Sequence, residues 1–289
     1  MLACVACSEK TPSVPEKYEP VAATPAIYPD YVGVTVPCNI APLTFRIEEP
    51  CSDAVTRITA GDKVVVYGGK EVIPSVDDWN VLLSQATGDS IKVEIFASSE
   101  GIWKGYEPFS ILVSGDMIDP YISYRLIPPS YVAYEKLTIS QRNLSNYDES
   151  VIYSNKLVSS EPDGQCINCH AYKNYKTDNM QFHVRQYMGG TVFVHNGKMK
   201  KVNMKTDSTI SAGVYPFFNP KYDVVAYSVN NTGQIFHTKN PNKVEVQDQA
   251  SDVIIYDPVR EIVTHVANDP NSLEVFPAWS PDGKTLYYC

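Results

Sequence analysis

At 289 residues the chain exceeds one ordinary domain and has room for two or three, each with its own core. Its formal net charge is -9, and Lys and Arg are scattered rather than clustered. That excludes the concentrated basic surface a phosphate backbone requires, so no nucleic-acid partner is expected.

The first residues, Met1-Leu2-Ala3-Cys4-Val5-Ala6-Cys7, read as the tail of a lipoprotein signal: small residues precede a Cys, and polar Ser8-Glu9-Lys10 follows. The charged segment and longer apolar stretch of a full signal are missing, so the true start is expected upstream. Cys7 is the acylation candidate and Cys4 its alternative; neither has Leu three residues before it, and an ordinary exposed N-terminus is the competing reading. From Ser8 to about Ala26, Pro12, Pro15, Pro20 and Pro25 interrupt a stretch without periodicity, which reads as an extended tether. Residues 1–27 are therefore taken as signal remnant and tether. No segment is apolar for long enough to span a bilayer, so membrane attachment is expected through a lipid anchor alone.

Residues 28–119 read as a β-sandwich-like domain. Val32-Gly33-Val34-Thr35-Val36, Leu43-Thr44-Phe45-Arg46-Ile47, Ile91-Lys92-Val93-Glu94-Ile95-Phe96 and Phe109-Ser110-Ile111-Leu112-Val113 have strand character. Val64-Val65-Val66-Tyr67 with Gly68-Gly69-Lys70 behind it predicts a hairpin. One helix interrupts: Ser75 caps it, Asp78 follows three residues later, Trp79, Val81, Leu82 and Leu83 supply an apolar face, and Gly88 stops it. Cys38 and Cys51 form a disulfide if the compartment is oxidising, and are reduced buried cysteines otherwise.

Residues 120–190 lose periodicity. Pro128-Pro129 breaks any regular element, and Tyr121, Tyr124, Tyr131 and Tyr134 crowd the region. Within it, Gln165-Cys166-Ile167-Asn168-Cys169-His170 contains C-x-x-C-H. Two thiols one helical turn apart match the two vinyl groups of a haem, and the adjacent His170 is then placed to bind the iron. A zinc site would need a second Cys/His pair at zinc spacing, and a redox dithiol would need a βαβ context; both are missing, which leaves a coincidental pair of core cysteines as the third alternative. One haem c is the expected cofactor, held by Cys166, Cys169 and His170. For the second axial position His183 is preferred, with Met180 and Met188 as alternatives. Strand alternation in Met180-Gln181-Phe182-His183-Val184-Arg185 sets His183 on the face opposite Phe182 and Val184.

From Thr191 onward strands return. Thr191-Val192-Phe193-Val194-His195, Asn196-Gly197 and Met199-Lys200-Lys201-Val202-Asn203-Met204 predict a hairpin, and so do Val253-Ile254-Ile255-Tyr256, Asp257-Pro258 and Glu261-Ile262-Val263-Thr264-His265-Val266. Two segments also align without gaps, about 61 residues apart. Tyr215-Pro216-Phe217-Phe218-Asn219-Pro220 leads to Val224-Val225-Ala226-Tyr227-Ser228, and Phe276-Pro277-Ala278-Trp279-Ser280-Pro281 leads to Thr285-Leu286-Tyr287-Tyr288-Cys289. In the second copy Ser280-Pro281-Asp282-Gly283 makes a tight turn.

Phe276-Pro277-Ala278-Trp279-Ser280-Pro281-Asp282-Gly283-Lys284 closely resembles the repeat signature of TolB-type, WD40-like β-propellers. The Tyr215 copy departs from it in Asn219 and in Lys221-Tyr222-Asp223 where the turn should be. A propeller cannot close with so few blades, so residues 191–289 are expected to begin one that continues beyond Cys289. Together with Ile122-Ser123-Tyr124-Arg125-Leu126-Ile127-Pro128-Pro129, the Cys motif, Phe182-His183-Val184-Arg185 and Gly189-Gly190-Thr191, the repeat resembles TolB-like, haem-motif lipoproteins of Bacteroidetes, often labelled cytochrome c biosynthesis proteins. The resemblance implies a periplasmic or outer-membrane setting and no defined reaction.

The expected architecture is mainly β: a β-sandwich-like domain, an irregular c-type haem segment, then a partial β-propeller. The expected function is redox or electron transfer with an envelope redox or scaffold protein as partner. The alternative is a non-redox propeller scaffold in the cell envelope whose Cys motif is structural. An enzyme ranks third, since no Ser-His-Asp set or paired carboxylates stand out.

Overall fold

The structure, a computed structural model, describes residues 11–127, 136–158 and 164–289. Cys4 and Cys7, and with them both lipidation candidates, lie outside the described residues, as do Pro128-Pro129, Tyr131 and Tyr134. The chain is mainly β, as expected, with one α-helix among the described residues. No helix among them is long and apolar enough to cross a membrane. It divides into two compact units, Met1–Ile122 with Gln141–Ser150, and Ser123–Ser140 with Val151–Cys289.

The first unit contains β1 (Glu19–Val21), β2 (Ile27–Tyr28), β3 (Thr35–Pro37), β4 (Phe45–Ile47), β5 (Asp53–Ala60), β6 (Lys63–Gly68), β7 (Glu71–Val72), α1 (Val76–Ala86), β8 (Ser90–Ser99), β9 (Ile102–Tyr106) and β10 (Phe109–Ser114). A large sheet runs β1-β9-β8-β10-β3, with β5 on β8 and β6 on β5; a smaller one runs β2-β4-β7. Ile27, Phe45, Ile47 and Val72 of the smaller sheet share a core with Ile58, Ile91, Val93, Ile95 and Ile111 of the larger and with Trp79, Leu82 and Leu83 of α1. The Ser75 hydroxyl accepts the Asp78 N–H at 3.1 Å, satisfying one of the donors that a helix start leaves free.

Three local expectations change. Val81 is exposed, so the buried helix face is Trp79, Leu82, Leu83 and Ala86. Gly68-Gly69-Lys70 does not close a hairpin on β6. That strand returns from β5 through Gly61-Asp62, and the glycines redirect the chain into β7. The expected tether is docked over part of its length: Glu19–Val21 pairs in parallel with Lys104–Tyr106, and the Tyr18 ring lies against Phe96 at 4.9 Å. Gly105 permits this, because a Cβ there would sit 2.4 Å from Tyr18. Pro20 is tolerated because β1 ends its sheet, so a missing N–H costs no ladder partner on the open side. Of the two alternatives for Cys38 and Cys51, the structure has the reduced one: both are free thiols, half-buried, and the Cys38 sulfur approaches the Gly115 and Asp116 carbonyls.

Strands β11 (Tyr121–Leu126), β12 (Thr138–Asn143) and β13 (Glu149–Ser154) form a three-stranded sheet. Two four-stranded antiparallel meanders follow. The first is β14 (Gln165–Tyr172), β15 (Met180–Gln186), β16 (Gly190–His195) and β17 (Lys198–Val202). The second is β18 (Val214–Phe218), β19 (Val225–Phe236), β20 (Val244–Asp257) and β21 (Ile262–Ala267). A short pair, β22 (Ala278–Trp279) and β23 (Leu286–Tyr287), closes the described chain. The Cys motif is thus not irregular. It forms the first strand of a meander that starts at Gln165 rather than Thr191, because Gln165–Tyr172 pairs with Met180–Gln186.

The internal repeat is visible in the backbone. Val214 faces Ser228, and at the equivalent place Val275 exchanges two hydrogen bonds with Cys289. Asn219 N–H bonds the Val224 carbonyl at 2.9 Å as Ser280 N–H bonds that of Thr285 at 2.8 Å. Tyr215 and Phe276 both adopt left-handed backbone, at φ 50° and 54°, and their rings meet at 4.8 Å.

Candidate functional site

The site lies wholly within the second unit and is built on β14 and β15. Ile167, Phe182 and Val184 point into a core with Leu137, Ile139, Met180 and Val192. Facing residues in an antiparallel pair share a side, so Cys166 with Arg185 and Asn168 with His183 occupy the opposite face. The alternation expected around His183 is therefore the observed one. It also removes Met180 from the candidates for iron, since Met180 is buried in the core on the other face. Met188 is exposed in the turn after β15, and its carbonyl accepts Lys201 Nζ at 2.9 Å.

The expected helical turn between the two cysteines is absent. The chain runs as a strand whose register shifts between Asn168 and Ala171, and Cys169 takes left-handed backbone with φ 52°. Such a bulge leaves residues unpaired and re-aims side chains. Its amides are held from the flanks: Cys169 N–H donates to Asn168 Oδ1 at 2.8 Å, and Gln181 Nε2 donates to the Cys169 carbonyl. The His170 ring donates to the Ser123 carbonyl, and burial, opposed by that bond, lowers its pKa.

Cys169, His183, Arg185, Tyr215, Asn230 and Thr232 line a cleft of about 570 Å³, within the range of small-molecule sites. Gly190, also on its wall, has φ 146°, and a Cβ there would lie 2.9 Å from the Val202 carbonyl. His183 is 4% exposed, and burial, with Arg185 adding to it, pushes its pKa down to about 4. Its Nδ1 pairs with Thr191 Oγ1 at 3.1 Å. That bond fixes the ring and leaves Nε2 of a neutral imidazole for the cleft, the state in which His binds metals.

Two guanidinium groups flank the thiols. Arg125 donates to Asn168 Oδ1 at 2.8 Å and Arg185 to the Cys166 sulfur at 3.6 Å. Burial raises the Cys169 thiol pKa, against the pull of the Tyr215 N–H directed at its sulfur and of both arginines. Among the described residues no three His, Cys, Asp or Glu side chains are placed to hold one metal ion. In donor chemistry the stretch fits a covalently held haem: two thiols, an adjacent imidazole, and a second neutral imidazole beside a cleft. In geometry neither Cys166 nor His170 lines the cleft, and the Ser123 carbonyl holds the His170 ring, so the described strand does not fit a haem joined to both cysteines and bound by His170 unless it rearranges. A helical turn from Cys166 to Cys169 would also break the pairings of Cys166 with Arg185, Ile167 with Val184 and Asn168 with His183.

No family model matches the chain, and no curated protein matches it. Among solved structures, an oligogalacturonate lyase in complex with manganese aligns with 68% of this chain and 70% of its own, at 11% identity and a TM-score of 0.25.

Proposed function

We propose that the chain is an extracytoplasmic haem protein, with one haem c joined to Cys166 and Cys169 and bound through His170 and His183. The supporting observation is C-x-x-C-H on a strand whose neighbour presents a neutral, oriented imidazole to the cleft that also receives Cys169. A haem held there supplies a one-electron carrier. The chain's own residues exclude water from His183, fix its ring through Thr191, and place Arg125 and Arg185 beside the sulfurs. On this reading the two meanders are blades of a TolB-like propeller that binds an envelope partner, and acylation at Cys7, or at Cys4, anchors the protein in the periplasm or outer membrane. The test is a pyridine haemochrome assay after acid-acetone extraction, on protein matured where haem is attached. Thioethers survive that treatment, so the haem should remain, and Cys166→Ala with Cys169→Ala should abolish it. Complete extraction from the unmutated protein overturns the reading.

One observation favours the scaffold alternative. The Tyr215 N–H points at the Cys169 sulfur, as the equivalent Phe276 N–H points at Ser228 Oγ at 3.0 Å. Cys169 thus occupies a structural acceptor position between meanders. A colourless matured protein that folds normally would move the assignment to this reading.

A further inference from the structure

Beyond the four-stranded part of the second meander, β19 and β20 continue as a pair. Their ladder runs from Val225 opposite Tyr256 to Phe236 opposite Val244, whereas β18 flanks only Val225–Ser228 and β21 only Val253–Asp257. Where the pair leaves the sheet, its register shifts by one residue: Asn231 faces Ala250 but Thr232 faces Asp248, with Gln249 as the extra residue. Without Gln249 in the bulge, Asp248 would face Gly233 and point to the other side. With it, Asn230, Thr232, Asp248 and Ser251 share one face, and Asn230 and Thr232 line the cleft.

Asn230 Nδ2 donates to Asp248 Oδ2 at 3.1 Å, which orients both groups. The reverse amide orientation would set oxygen against carboxylate. Asn230 Oδ1, Asp248 Oδ1 and Ser251 Oγ are then all buried without a hydrogen-bond partner among the described residues. Asn230 is 9% and Ser251 1% exposed. Buried unpartnered oxygens are costly, and three of them on one face, one from a carboxylate, form a set of acceptors that a cation would satisfy.

We propose that Asn230 Oδ1, Asp248 Oδ1 and Ser251 Oγ hold a hard divalent cation of the calcium or magnesium type at the wall of the cleft. Oxygen-only donors select such ions over zinc or copper, and water completes the shell. A single carboxylate sets a weak site, with a Kd on the order of 0.1–1 mM. The proposal does not depend on a haem at Cys166 and Cys169.

The test uses the full chain stripped with chelator and titrated with terbium(III), whose luminescence nearby tyrosines sensitise. Calcium and magnesium are then added separately to displace it. One saturable terbium site is expected, displaced by the preferred ion at millimolar concentration. Asp248→Asn should weaken binding by about tenfold or more, and Asn230→Asp, which adds a second carboxylate, should tighten it by about tenfold. Circular dichroism checks folding, and Ser251→Ala, a smaller change with a smaller expected loss, serves if Asp248→Asn does not fold. No saturable site, or equal affinity in the unmutated, Asn230→Asp and Ser251→Ala proteins, overturns the proposal. Either result leaves the haemochrome assay to decide the haem reading on its own.

Discussion

The two meanders share a topology and differ in where they depart from it. In β18–β21 the inner strands are long and the departure, the bulge at Gln249, lies out on the arm beyond the sheet. In β14–β17 the departure lies inside the first strand, between Asn168 and Ala171, where Cys169 and His170 are lifted out of the ladder. The first bulge sets Cys169 on the cleft wall, and the second sets Asp248 on the face of its strand pair that carries the cleft residues Asn230 and Thr232. The regular remainder of each sheet supplies rigidity, and the single extra residues supply chemistry.

If that division is correct, the cores of the two sheets should be energetically alike. Phe182, at 5% exposure, and Tyr227, at 0%, each fill the middle of one. Phe182→Ala and Tyr227→Ala should each destabilise the protein by about 3–5 kcal/mol, measured by urea unfolding. A loss under about 1 kcal/mol for Phe182→Ala alone would mean that the first sheet is not packed as the second is.

The next effect belongs to the first sheet alone. His183 has a folded pKa of about 4 against an ordinary 6.5, so the folded state disfavours its charged form. The associated stability is fully present above pH 6.5 and is lost as pH falls through 4, by roughly 3 kcal/mol. Unfolding of haem-free protein followed from pH 7 to 4 should show this fall, and His183→Asn should flatten it. Equal slopes for the two proteins would remove the buried neutral imidazole from the argument.

Much of this comparison was legible in the sequence. Alternation separated His183 from Phe182 and Val184, and Asn196-Gly197 marked a hairpin whose turn residues indeed take positive φ, 50° and 73°. The 61-residue repeat located Tyr215 and Phe276 before their shared left-handed backbone was visible. The bulges were not legible. C-x-x-C-H was read with helical spacing, although Gln165–Tyr172 is long enough for a strand and its neighbours are strands. Asn230 and Asp248 belong to no motif or spacing that would single them out. The available signal was the alternation Val244, Val246 after the turn-rich Lys239-Asn240-Pro241-Asn242, which marks β20 as a hairpin partner. An extra residue in a strand has no composition of its own, because it is defined only by what it faces.

A smaller effect tests the equivalence of Cys169 and Ser228 as acceptors between meanders. Ser228→Ala leaves the Phe276 N–H without its partner and should cost about 1–2 kcal/mol. In haem-free protein Cys169→Ser keeps an acceptor for the Tyr215 N–H and should cost less than about 1 kcal/mol, while Cys169→Ala should match Ser228→Ala. If all three are neutral, the repeated link contributes nothing to docking one sheet on the next.

The smallest effect concerns ion pairs that join the same two sheets. Lys173, in the turn after β14, is 16% exposed; its Nζ meets Asp223 at 2.5 Å and also donates to the Tyr222 carbonyl at 3.0 Å. Lys200, on β17, pairs with Glu261, and both are more than half exposed. Water screens the second pair and leaves its long side chains free to separate, so Lys200→Ala should change stability by less than about 0.5 kcal/mol. Lys173 loses a backbone bond as well as a charge partner, and Lys173→Ala should cost about 1 kcal/mol. The contribution of Lys173 should fall as pH drops through the depressed pKa of Asp223, because protonating that carboxyl removes the attraction. Urea unfolding of both variants at low and high salt decides the matter. Salt should erase whatever Lys200 contributes and leave most of the Lys173 effect, since the bond to the Tyr222 carbonyl is not an ion pair. Equal salt dependence would place both lysines at the surface in the same sense and dissolve the distinction between a tied contact and a loose one.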